Sequence, residues 1–397
     1  MLKTYEYRIY PNKEQAILIA KHFGCTRFVY NKALALKISL YEKEKKTISK
    51  FELNKEITKW KKEETTCWLK EVQAQSLQQA MTDLDSAFIR FFREKKGFPK
   101  FKSKHTYRYS YRSPQGNKIN FENKKIFLPK IGWIKTRIDR TFVGEIHSVT
   151  LKQVPSGKYF VSVLIKDETE NKFLRPIKEE TTIGIDLGIK DFAVLSTGEK
   201  IPNPRALKEN LKKLQVLQHR MSRKAKGSNN RNKARIKVAK QYEKVTNIRK
   251  DFLHKLSSRL TNESQVDTIC LETLNISGMM KNHRLAQAMG DVSWYSFIQM
   301  LTYKAERNGV NILRIGQFEP SSKTCTCGYI NKNLTLRDRN WICPNCGTHH
   351  DRDILAANNI KRIALADLNL KYQNSGLGKS VELVESLTLV KAMKQEQ

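Results

Sequence analysis

Four of the seven cysteines of this chain lie close together, in the segments TCTCG and CPNCG. The second segment has the C-x₂-C spacing of a zinc knuckle, whereas only one residue separates the two cysteines of the first. Fifteen residues lie between the two pairs, which is typical of a ribbon-type finger. If the tight C-x-C leaves one cysteine out, His349 or His350 could replace it. The pattern predicts a structural Zn²⁺ site with the ligands Cys325, Cys327, Cys343 and Cys346.

The length and the charge of the chain narrow its class. A chain of 397 residues is too long for one ordinary core, so we expect two or three domains. Lys and Arg total 74 against 39 acidic residues, and the net charge of +35 is spread along the sequence. With 14 Tyr, 17 Phe and 5 Trp available for stacking, nucleic acid is the expected partner. A ribosomal or chromatin protein would share the charge but would rarely have this length and aromatic content. The alternative to a nucleic-acid-binding protein is a basic surface that is solvated and has no partner.

Several features bear on where the protein works. The segment MLKTYEYRIYPNKEQ has no apolar core of the signal-peptide type, and no run of about eighteen apolar residues occurs, so we expect no membrane association. An odd number of cysteines, four of them clustered, fits a reducing compartment and metal binding better than disulfides. Cys25, Cys67 and Cys270 lie in apolar surroundings and are predicted to be buried thiols. We therefore expect the cytoplasm of a bacterial or archaeal cell.

The N-terminal part of the sequence combines a strand, a helical region and a set of further strands. Residues 4–9 alternate between apolar and polar side chains and predict a strand, while apolar spacings of three and four predict three or four helices from Asn12 to about Arg93. From Gly97 the sequence is basic and aromatic, without helical periodicity. The first strand could join the later ones, which would make the helical region an insertion in a small β module. Those later strands are expected at 118–121, 125–128, 146–153 and 158–166.

The C-terminal part alternates strands and helices, which predicts an α/β domain. Residues 205–250 contain sixteen Lys or Arg and two acidic residues, and they predict two basic helices separated by the polar segment 227–232. The last thirty residues or so are expected to be weakly ordered. Strands are expected at 183–187, 192–196, 266–272 and 310–315, and a further helix at 294–308.

Three acidic residues stand out by position: Asp186 inside an apolar strand, Glu272 at a strand end and Asp353 at a helix start. A charge in the middle of an apolar strand costs several kcal/mol unless it is paired or binds a metal. Carboxylates suit Mg²⁺ or Mn²⁺, and two such ions about 4 Å apart can activate a water and stabilise the leaving 3′ oxygen. On so basic a chain, the three carboxylates together predict phosphodiester hydrolysis.

Each of these carboxylates also has a simpler interpretation. Asp186 could face solvent on a strand whose other face is buried, Glu272 could be an exposed strand end, and Asp353 could be a helix N-cap. The sequence contains no GxxxxGK[ST] loop, so an ATP-driven motor or helicase finds no support.

Seven segments occur in the order in which a known family has them. They are YRIYPNKEQ, RFVYNKALAL, AQSLQQAMTDLDSAFIRFF with GFPKFKSK, TIGIDLGIKDFAVLS, RKDFLHKLS, CLETLNISGMMKNH, and SSKTC with CPNCGTHHDRD. On these segments, residues 1–365 of the chain resemble TnpB, the transposon-encoded RNA-guided DNA nucleases related to type V CRISPR effectors.

The resemblance implies a multidomain α+β protein. It implies an RNase H-like (RuvC) α/β nuclease domain with an inserted zinc ribbon, and an N-terminal β-barrel (wedge) module interrupted by a helical bundle. The implied domains are the wedge-type module at 1–11 and 97–175, the helical insertion at 12–96, the nuclease domain at 176–319 and 351–368, the finger at 320–350 and a tail at 369–397.

The resemblance also implies site residues and partners. Asp186, Glu272 and Asp353 would be catalytic and hold two Mg²⁺ or Mn²⁺ ions, with Asp353 favoured over Asp351 as the ligand of the DRD segment. The partners would be a guide RNA from the transposon end and double-stranded target DNA that carries a short flanking motif. Gln75 and Gln79 lie one helical turn apart where the family reads this motif, although a solvated helix face would explain them equally well. The further predicted nucleic-acid contacts are Lys100, Lys102, Arg223, Lys224, Arg231, Arg235 and Arg249.

The chain departs from the family in three places. These are the C-x-C pair, Leu355 where the family usually has asparagine, and Tyr242 where it commonly has histidine. None of them removes a metal-binding carboxylate, so we expect an RNA-guided, Mg²⁺-dependent DNA endonuclease. The alternatives are a nuclease-dead relative that binds guide RNA and represses transcription, and a DNA-joining transposase, for which we find no comparable HUH motif.

Overall fold

The computed structural model describes residues 2–104, 109–167, 172–263, 265–317, 319–335 and 338–374. Its contacts divide the chain into two compact units, Met1–Glu170 and Asn171–Gln397. Residues 369–374, which the sequence assigns to a weakly ordered tail, are helical, and 375–397 lie outside the described residues. Among the described residues, no helix is long and apolar enough to cross a membrane.

The first unit contains a seven-stranded sheet. Strand β1, at Leu2–Tyr10, lies inside this sheet and pairs antiparallel with a strand on either side. Its side chains alternate, so that Tyr7 and Ile9 are buried in the core of the unit. The N-terminal strand therefore joins strands that follow the helices in sequence. These are β2 (Ser110–Ser113), β3 (Lys118–Asn120), β4 (Lys125–Leu128), β5 (Gly132–Arg137), β6 (Glu145–Gln153) and β7 (Tyr159–Lys166), in the order β2-β6-β7-β1-β5-β4-β3.

The expected strands of this sheet are confirmed, but the sequence missed two others, β2 and β5. In β5 the segment GWIKTR buries Ile134 and Thr136 and leaves Trp133 exposed. The alternation of this segment thus contains only one buried apolar residue, which is too weak a pattern to predict a strand.

Three α-helices lie between β1 and β2 in sequence: α1 (Lys13–Glu44), α2 (Lys50–Trp60) and α3 (Ala74–Glu94), with a 3₁₀ segment at Glu64–Glu71. Two of them begin with a capping box, in which Asn12 pairs with Gln15 and Ser49 with Glu52. Their apolar faces form a separate core that includes Val29, Leu34, Leu53, Leu77 and Leu84. Within the same region, Cys25 is buried but Cys67 is exposed, so the prediction that Cys67 is a buried thiol is wrong. Cys67 lies in the 3₁₀ segment, of which Thr66 and Leu69 form the buried side.

The second unit is built on a five-stranded mixed sheet. Its strands are β8 (Thr182–Leu187), β9 (Asp191–Leu195), β10 (Lys200–Pro202), β11 (Thr268–Glu272) and β12 (Asn311–Ile315), in the order β10-β9-β8-β11-β12. Strands β8, β11 and β12 are parallel, and β9 and β10 continue the sheet antiparallel.

The helices of the second unit cover both faces of this sheet. Ile183, Ile185 and Leu271 pack on one face with Leu253 and Phe297. On the other face, Cys270 and Ile315 pack against Ile360 and Ala364. The unit is therefore a mixed α/β fold, as expected. Its helices are α4 (Ala206–Ser222), α5 (Asn229–Ser258), α6 (Ile276–Met279), α7 (His283–Val292), α8 (Trp294–Asn308) and α9 (Arg352–Asn374).

A small hairpin precedes α9. Its strands, β13 (Asn340–Ile342) and β14 (His349–Asp351), pair antiparallel and carry the second cysteine pair between them. Strand β14 leads directly into α9, which connects the cysteine-containing segment to the helix that covers the sheet. The sequence did not predict this hairpin, β10, α6 or α7.

Candidate active site and metal centre

Asp186 and Glu272 are neighbours on the central sheet. The parallel register of β8 and β11 pairs Ile185 with Leu271, so the next residue on each strand carries a carboxylate. Both carboxylates lie at the carboxyl ends of their strands. In a sheet covered by helices on both faces, this edge is where ligand sites are usually found.

Helix α9 packs very closely on β8 because residue 184 is glycine. A Cβ atom on Gly184 would overlap the carbonyl oxygen of Ala357 and would lie 2.9 Å from the backbone nitrogen of Lys361. Asp186 is two residues further along the strand, about 6.6 Å away on the same face. Asp353 is four residues before Ala357, about 6 Å back along the helix axis. The contact between Gly184 and α9 therefore places Asp186 and Asp353 at the same edge of the sheet.

Asp351, and not Asp353, caps helix α9. The carboxylate of Asp351 accepts hydrogen bonds from the backbone N–H groups of Asp353 and Ile354, at 3.1 and 3.2 Å. Its other oxygen pairs with Lys200 Nζ at 2.6 Å. The interpretation of Asp353 as a helix N-cap is therefore wrong. Its carboxylate instead accepts from Arg339 Nη1, at 3.1 and 3.3 Å.

Asp186 is half-buried, on the face of the sheet that α9 covers. Burial, followed by the charges of Glu272 and Asp353, raises the pKa of Asp186 to about 7, while Arg352 and Arg339 act in the opposite direction. Burial also raises the pKa of Glu272. The structure thus brings the three predicted carboxylates into electrostatic contact, and a cation beside them would relieve both the burial and the repulsion.

The four clustered cysteines converge on one point. Their sulfur atoms all lie within 4.8 Å of one another. Among the described residues, Asp186, Glu272 and Asp353 do not form a cluster of this tightness. Cys325 Sγ lies 3.6 Å from Cys346 Sγ, and Cys327 Sγ lies 3.7 Å from Cys343 Sγ. Four thiolates about 2.3 Å from one tetrahedral Zn²⁺ would be about 3.8 Å apart. The short C-x-C spacing therefore does not keep either cysteine out of the cluster, which fits a structural zinc site.

His350 lies beside this cluster as a neighbour of one thiol. Its Nε2 is 3.0 Å from Cys325 Sγ, and its ring packs on Trp341 with the ring centroids 4.8 Å apart. Because all four sulfur atoms converge, a substitute ligand is not needed. The backbone of Tyr329 and the side-chain amide of Asn345 lower the pKa of Cys327 to about 6, which favours the thiolate that binds metal.

Three family models match parts of the chain. A model described as "Probable transposase" matches residues 160–283, one described as "Cas12f1-like, TNB domain" matches 294–360, and one described as "Helix-turn-helix domain" matches 1–46. In this structure residues 2–44 form β1 and the long helix α1.

Relatives are similar over nearly the whole chain. A protein of Streptomyces pristinaespiralis named "Putative RNA-guided DNA endonuclease" is 38% identical over 372 residues, which cover 92% of this chain and 90% of the relative. The chain belongs to the TnpB family. A second relative, "Putative RNA-guided DNA endonuclease InsQ" of Escherichia coli (strain K12), is 31% identical over 375 residues, or 90% of this chain and 91% of the relative.

Solved structures are similar at lower identity. A cryo-EM structure of a Cas12f1–sgRNA–target DNA complex superposes with a TM-score of 0.48 and 15% sequence identity, over 91% of this chain and 98% of that chain. The assignment to the TnpB family rests on the sequence relatives alone.

Helix α9 is tied to the cysteine segment by residues that the sequence analysis did not single out. Arg352 is buried and donates hydrogen bonds to the carbonyl of Thr335 and the hydroxyl of Ser322, at 2.7 and 3.3 Å. The amide of Asn359 donates to the carbonyls of Ser321 and Thr324, at 2.7 and 2.6 Å. These bonds fix the segment that holds Cys325 against the helix that carries Asp353.

Leu355, one of the departures from the family, has a packing role. It is buried in a small apolar cluster with Leu334 and Trp341 and with the buried cysteines Cys325 and Cys343. An asparagine at this position would place an amide in that cluster. The leucine thus joins the helix to the finger through apolar contact.

Three of the four predicted nucleic-acid contacts of the first unit have intramolecular partners. Gln75 Nε2 donates to Gln115 Oε1 at 2.8 Å, and Gln79 Nε2 donates to Asp83 Oδ1 at 3.1 Å, and both glutamines are half-buried. Lys102 Nζ lies 3.8 Å from the ring centroid of Tyr30, and burial lowers its pKa. Lys100 is exposed. The four assignments stay predictions.

The predicted contacts of the second unit fall into two groups. Arg223, Lys224 and Arg235 are exposed. Arg231 and Arg249 are bound within the protein: Arg231 Nη1 donates to backbone carbonyls at the end of α4, and Arg249 pairs with the buried Asp291 at 2.9 Å.

Tyr242, another departure from the family, lies on α5. Its hydroxyl accepts a hydrogen bond from Gln218 Nε2 at 2.9 Å, which links α5 to α4. The tyrosine is 44% exposed, so this link lies at the surface of the helix pair.

Lys200 and Arg339 gave no signal in the sequence. Lys200 binds a carboxylate 151 positions away, and Arg339 binds one 14 positions away across a hairpin. Neither residue lies in a recognisable motif. Only the tertiary structure shows that Lys200 pairs with Asp351 and Arg339 with Asp353.

Proposed function

We propose that this chain is a guide-RNA-dependent DNA endonuclease encoded by a transposon. It cuts double-stranded DNA beside a short flanking motif by Mg²⁺-dependent phosphodiester hydrolysis. The observation that carries the proposal is the grouping of Asp186 with Glu272 and Asp353 in a chain whose relatives are named as RNA-guided DNA endonucleases.

Asp186, Glu272 and Asp353 would hold two Mg²⁺ or Mn²⁺ ions. Such ions supply a nucleophilic water and neutralise the leaving oxygen. The residues fit these ions because they are hard oxygen donors, and because the half-buried carboxylate of Asp186 has a pKa raised by desolvation and by two neighbouring carboxylates. Arg339 keeps Asp353 in place through two contacts with its carboxylate, and Asp351 holds the first turn of α9.

The finer architecture belongs to the same proposal. The second unit would be an RNase H-like (RuvC) domain, since its mixed sheet carries the carboxylates at the ends of β8 and β11 and on α9. The seven-stranded sheet of the first unit would be the wedge-type β-barrel, with α1 to α3 as its helical insertion. The four cysteines would bind a structural Zn²⁺ in the finger, and the reducing cytoplasm of a bacterial or archaeal cell would keep the thiols available.

The test uses the protein purified with its co-expressed RNA. It is incubated with a DNA library that has a randomised flank beside the guide-matched sequence, with Mg²⁺ or with EDTA. We expect cleavage that requires Mg²⁺, that selects a flanking motif, and that is lost in Asp186→Asn. Tight, motif-dependent binding without cleavage would instead establish the nuclease-dead repressor.

A further inference from the structure

We propose that Asp291 is a positioning residue of the candidate active site. It holds the chain segments that leave Asp186 and Glu272 against the start of α4. The proposal rests on the proposed function, because the site that Asp291 orders is the group of metal-binding carboxylates. Asp291 itself is buried near the end of α7 and does not belong to that group.

The carboxylate of Asp291 caps α4 from another helix. Arg205 precedes α4 in the left-handed backbone region, at φ +43°, and provides no side-chain cap. Both oxygens of Asp291 instead accept from the backbone N–H of Leu207, at 2.9 and 3.0 Å, and Oδ2 also accepts from that of Lys208, at 3.3 Å. A carboxylate in this position also interacts favourably with the helix dipole. Because Oδ1 pairs with Arg249 of α5 at 2.9 Å, Asp291 joins three helices.

The capped end of α4 is also bonded to the turn that follows Asp186. The side-chain amide of Asn203 donates to the carbonyl of Ile189 at 2.8 Å, and its oxygen accepts from the backbone N–H of Arg205 at 3.0 Å. Ile189 lies in the turn between β8 and β9, three residues after Asp186. The turn that leaves Asp186 is therefore fixed to the helix end that Asp291 caps.

Asp291 also lies near the end of the segment that leaves Glu272. Residues 273–292 follow β11 and include α6 and α7. On either side of Asp291, Met289 and Val292 are buried in the core of the second unit. Residues that closely follow the two carboxylates in sequence pack against the same core: Leu187, Ile189, Leu274 and Ile276. Since a metal site requires its ligands to be held within about 0.5 Å, loosening Asp291 should disturb both carboxylates.

A comparable ion pair at the other end of β11 provides a matched control. Arg175 Nη1 donates to Asp267 Oδ1 at 3.1 Å, and Asp267 immediately precedes the strand. The strand separates Asp267 from Glu272 by about 16 Å. Asp267→Ala therefore removes an ion-paired carboxylate of the same unit from the end of β11 that is remote from the site.

The experiment measures binding of Mn²⁺ to the full-length protein without RNA, from the electron paramagnetic resonance signal of the unbound ion. The Mn²⁺ that the wild type binds and Asp186→Ala does not defines the carboxylate site. We expect Asp291→Ala to weaken this site at least about tenfold, and Asp267→Ala to leave its affinity close to that of the wild type. Asp291→Asn keeps an oxygen that can accept from the N–H of Leu207, so it should restore much of the affinity. In the RNA-bound protein, Asp291→Ala should raise the Mg²⁺ concentration needed for half-maximal cleavage by a similar factor.

Three results would overturn the role of Asp291: wild-type Mn²⁺ affinity in Asp291→Ala, an equal loss in Asp267→Ala, or no recovery in Asp291→Asn. If thermal unfolding shows that Asp291→Ala does not fold, Asn203→Ala is measured instead. This variant breaks the bond between the start of α4 and the turn after Asp186 without removing a charge, and wild-type affinity in it would also overturn the proposal. If the wild type and Asp186→Ala bind the same amount of Mn²⁺, the proposed function itself fails, so the two failures are distinguishable.

Discussion

Gly184 on β8 and Ala357 on α9 are in backbone contact, with no room for a side chain between them. A Cβ atom at position 184 would overlap the carbonyl oxygen of Ala357. This contact sets the distance between the strand that carries Asp186 and the helix that carries Asp353. The active-site candidates therefore depend on a residue that has no chemical function of its own.

Replacing this glycine should separate the two carboxylates. We expect Gly184→Ala to destabilise the protein by about 1–3 kcal/mol, because α9 must move away from the sheet. Cleavage of target DNA should fall at least about tenfold, since Asp353 moves with the helix. Urea unfolding and a cleavage time course measure the two effects.

The matched control is Gly24→Ala, in the interior of α1. A Cβ at Gly24 meets nothing within 4 Å, so this change should stabilise the helix by up to about 1 kcal/mol. Wild-type stability and cleavage in Gly184→Ala would show that the close contact is not required.

Asp351 both caps α9 and forms an ion pair with Lys200, and two substitutions can distinguish these two contributions. Asp351→Ala removes both the hydrogen bonds to the first turn of α9 and the pair with Lys200, and we expect a loss of about 1 kcal/mol together with slower cleavage. Asp351→Asn keeps an oxygen that can accept the same hydrogen bonds, so it should restore most of the stability. Thermal unfolding and cleavage rates are compared for the two variants. If the asparagine variant is as impaired as the alanine variant, the ion pair matters more than the cap.

The contact between His350 and Cys325 should strengthen zinc binding. We expect His350→Ala to lower zinc affinity about 10–100-fold, because a neighbouring ring N–H that stabilises the thiolate is lost. Competition of the purified protein with a chromogenic chelator gives the affinity. The control is His349→Ala, an exposed neighbour that should leave the affinity unchanged. A larger effect at position 349 would show that the other histidine is the one that supports the metal.

His22 should make the protein less stable in mild acid. Its Nδ1 lies 2.8 Å from the carbonyl of Leu18, and its Nε2 accepts the backbone N–H of Gln73 at 3.1 Å. Burial lowers its pKa below the ordinary value of 6.5, so the unfolded chain takes up a proton more readily than the folded one. The contribution of His22 to stability is therefore full at neutral pH and is lost as the pH falls through 6.5 towards the lowered pKa of the folded state.

Urea unfolding at several pH values between about 7 and 5 measures this effect. We expect the free energy of unfolding to decrease over this range in the wild type and to decrease less in His22→Gln. The exposed His147 provides the control, since His147→Gln should keep the wild-type pH dependence. The same slope in all three proteins would rule out His22 as its source.

Local patterns in the sequence predicted most of the strands and helices, because alternation and helical spacing are written in consecutive residues. They also identified the four cysteines and singled out Asp186, a charge inside an apolar strand. The sequence did not predict short strands such as β5, because too few of their residues follow the alternation of apolar and polar side chains.

Only the tertiary structure decided how distant residues meet. The sequence could not tell whether Asp351 or Asp353 caps α9, because both stand at the helix start and only the hydrogen bonds distinguish them. Nor could it show that a C-x-C pair still reaches the other cysteines, or that Arg231 is used inside the protein while Arg223 is exposed. The residue types and their spacing determine which chemical groups the protein has. Contacts between residues that are far apart in sequence depend on tertiary packing, because packing determines where each side chain points.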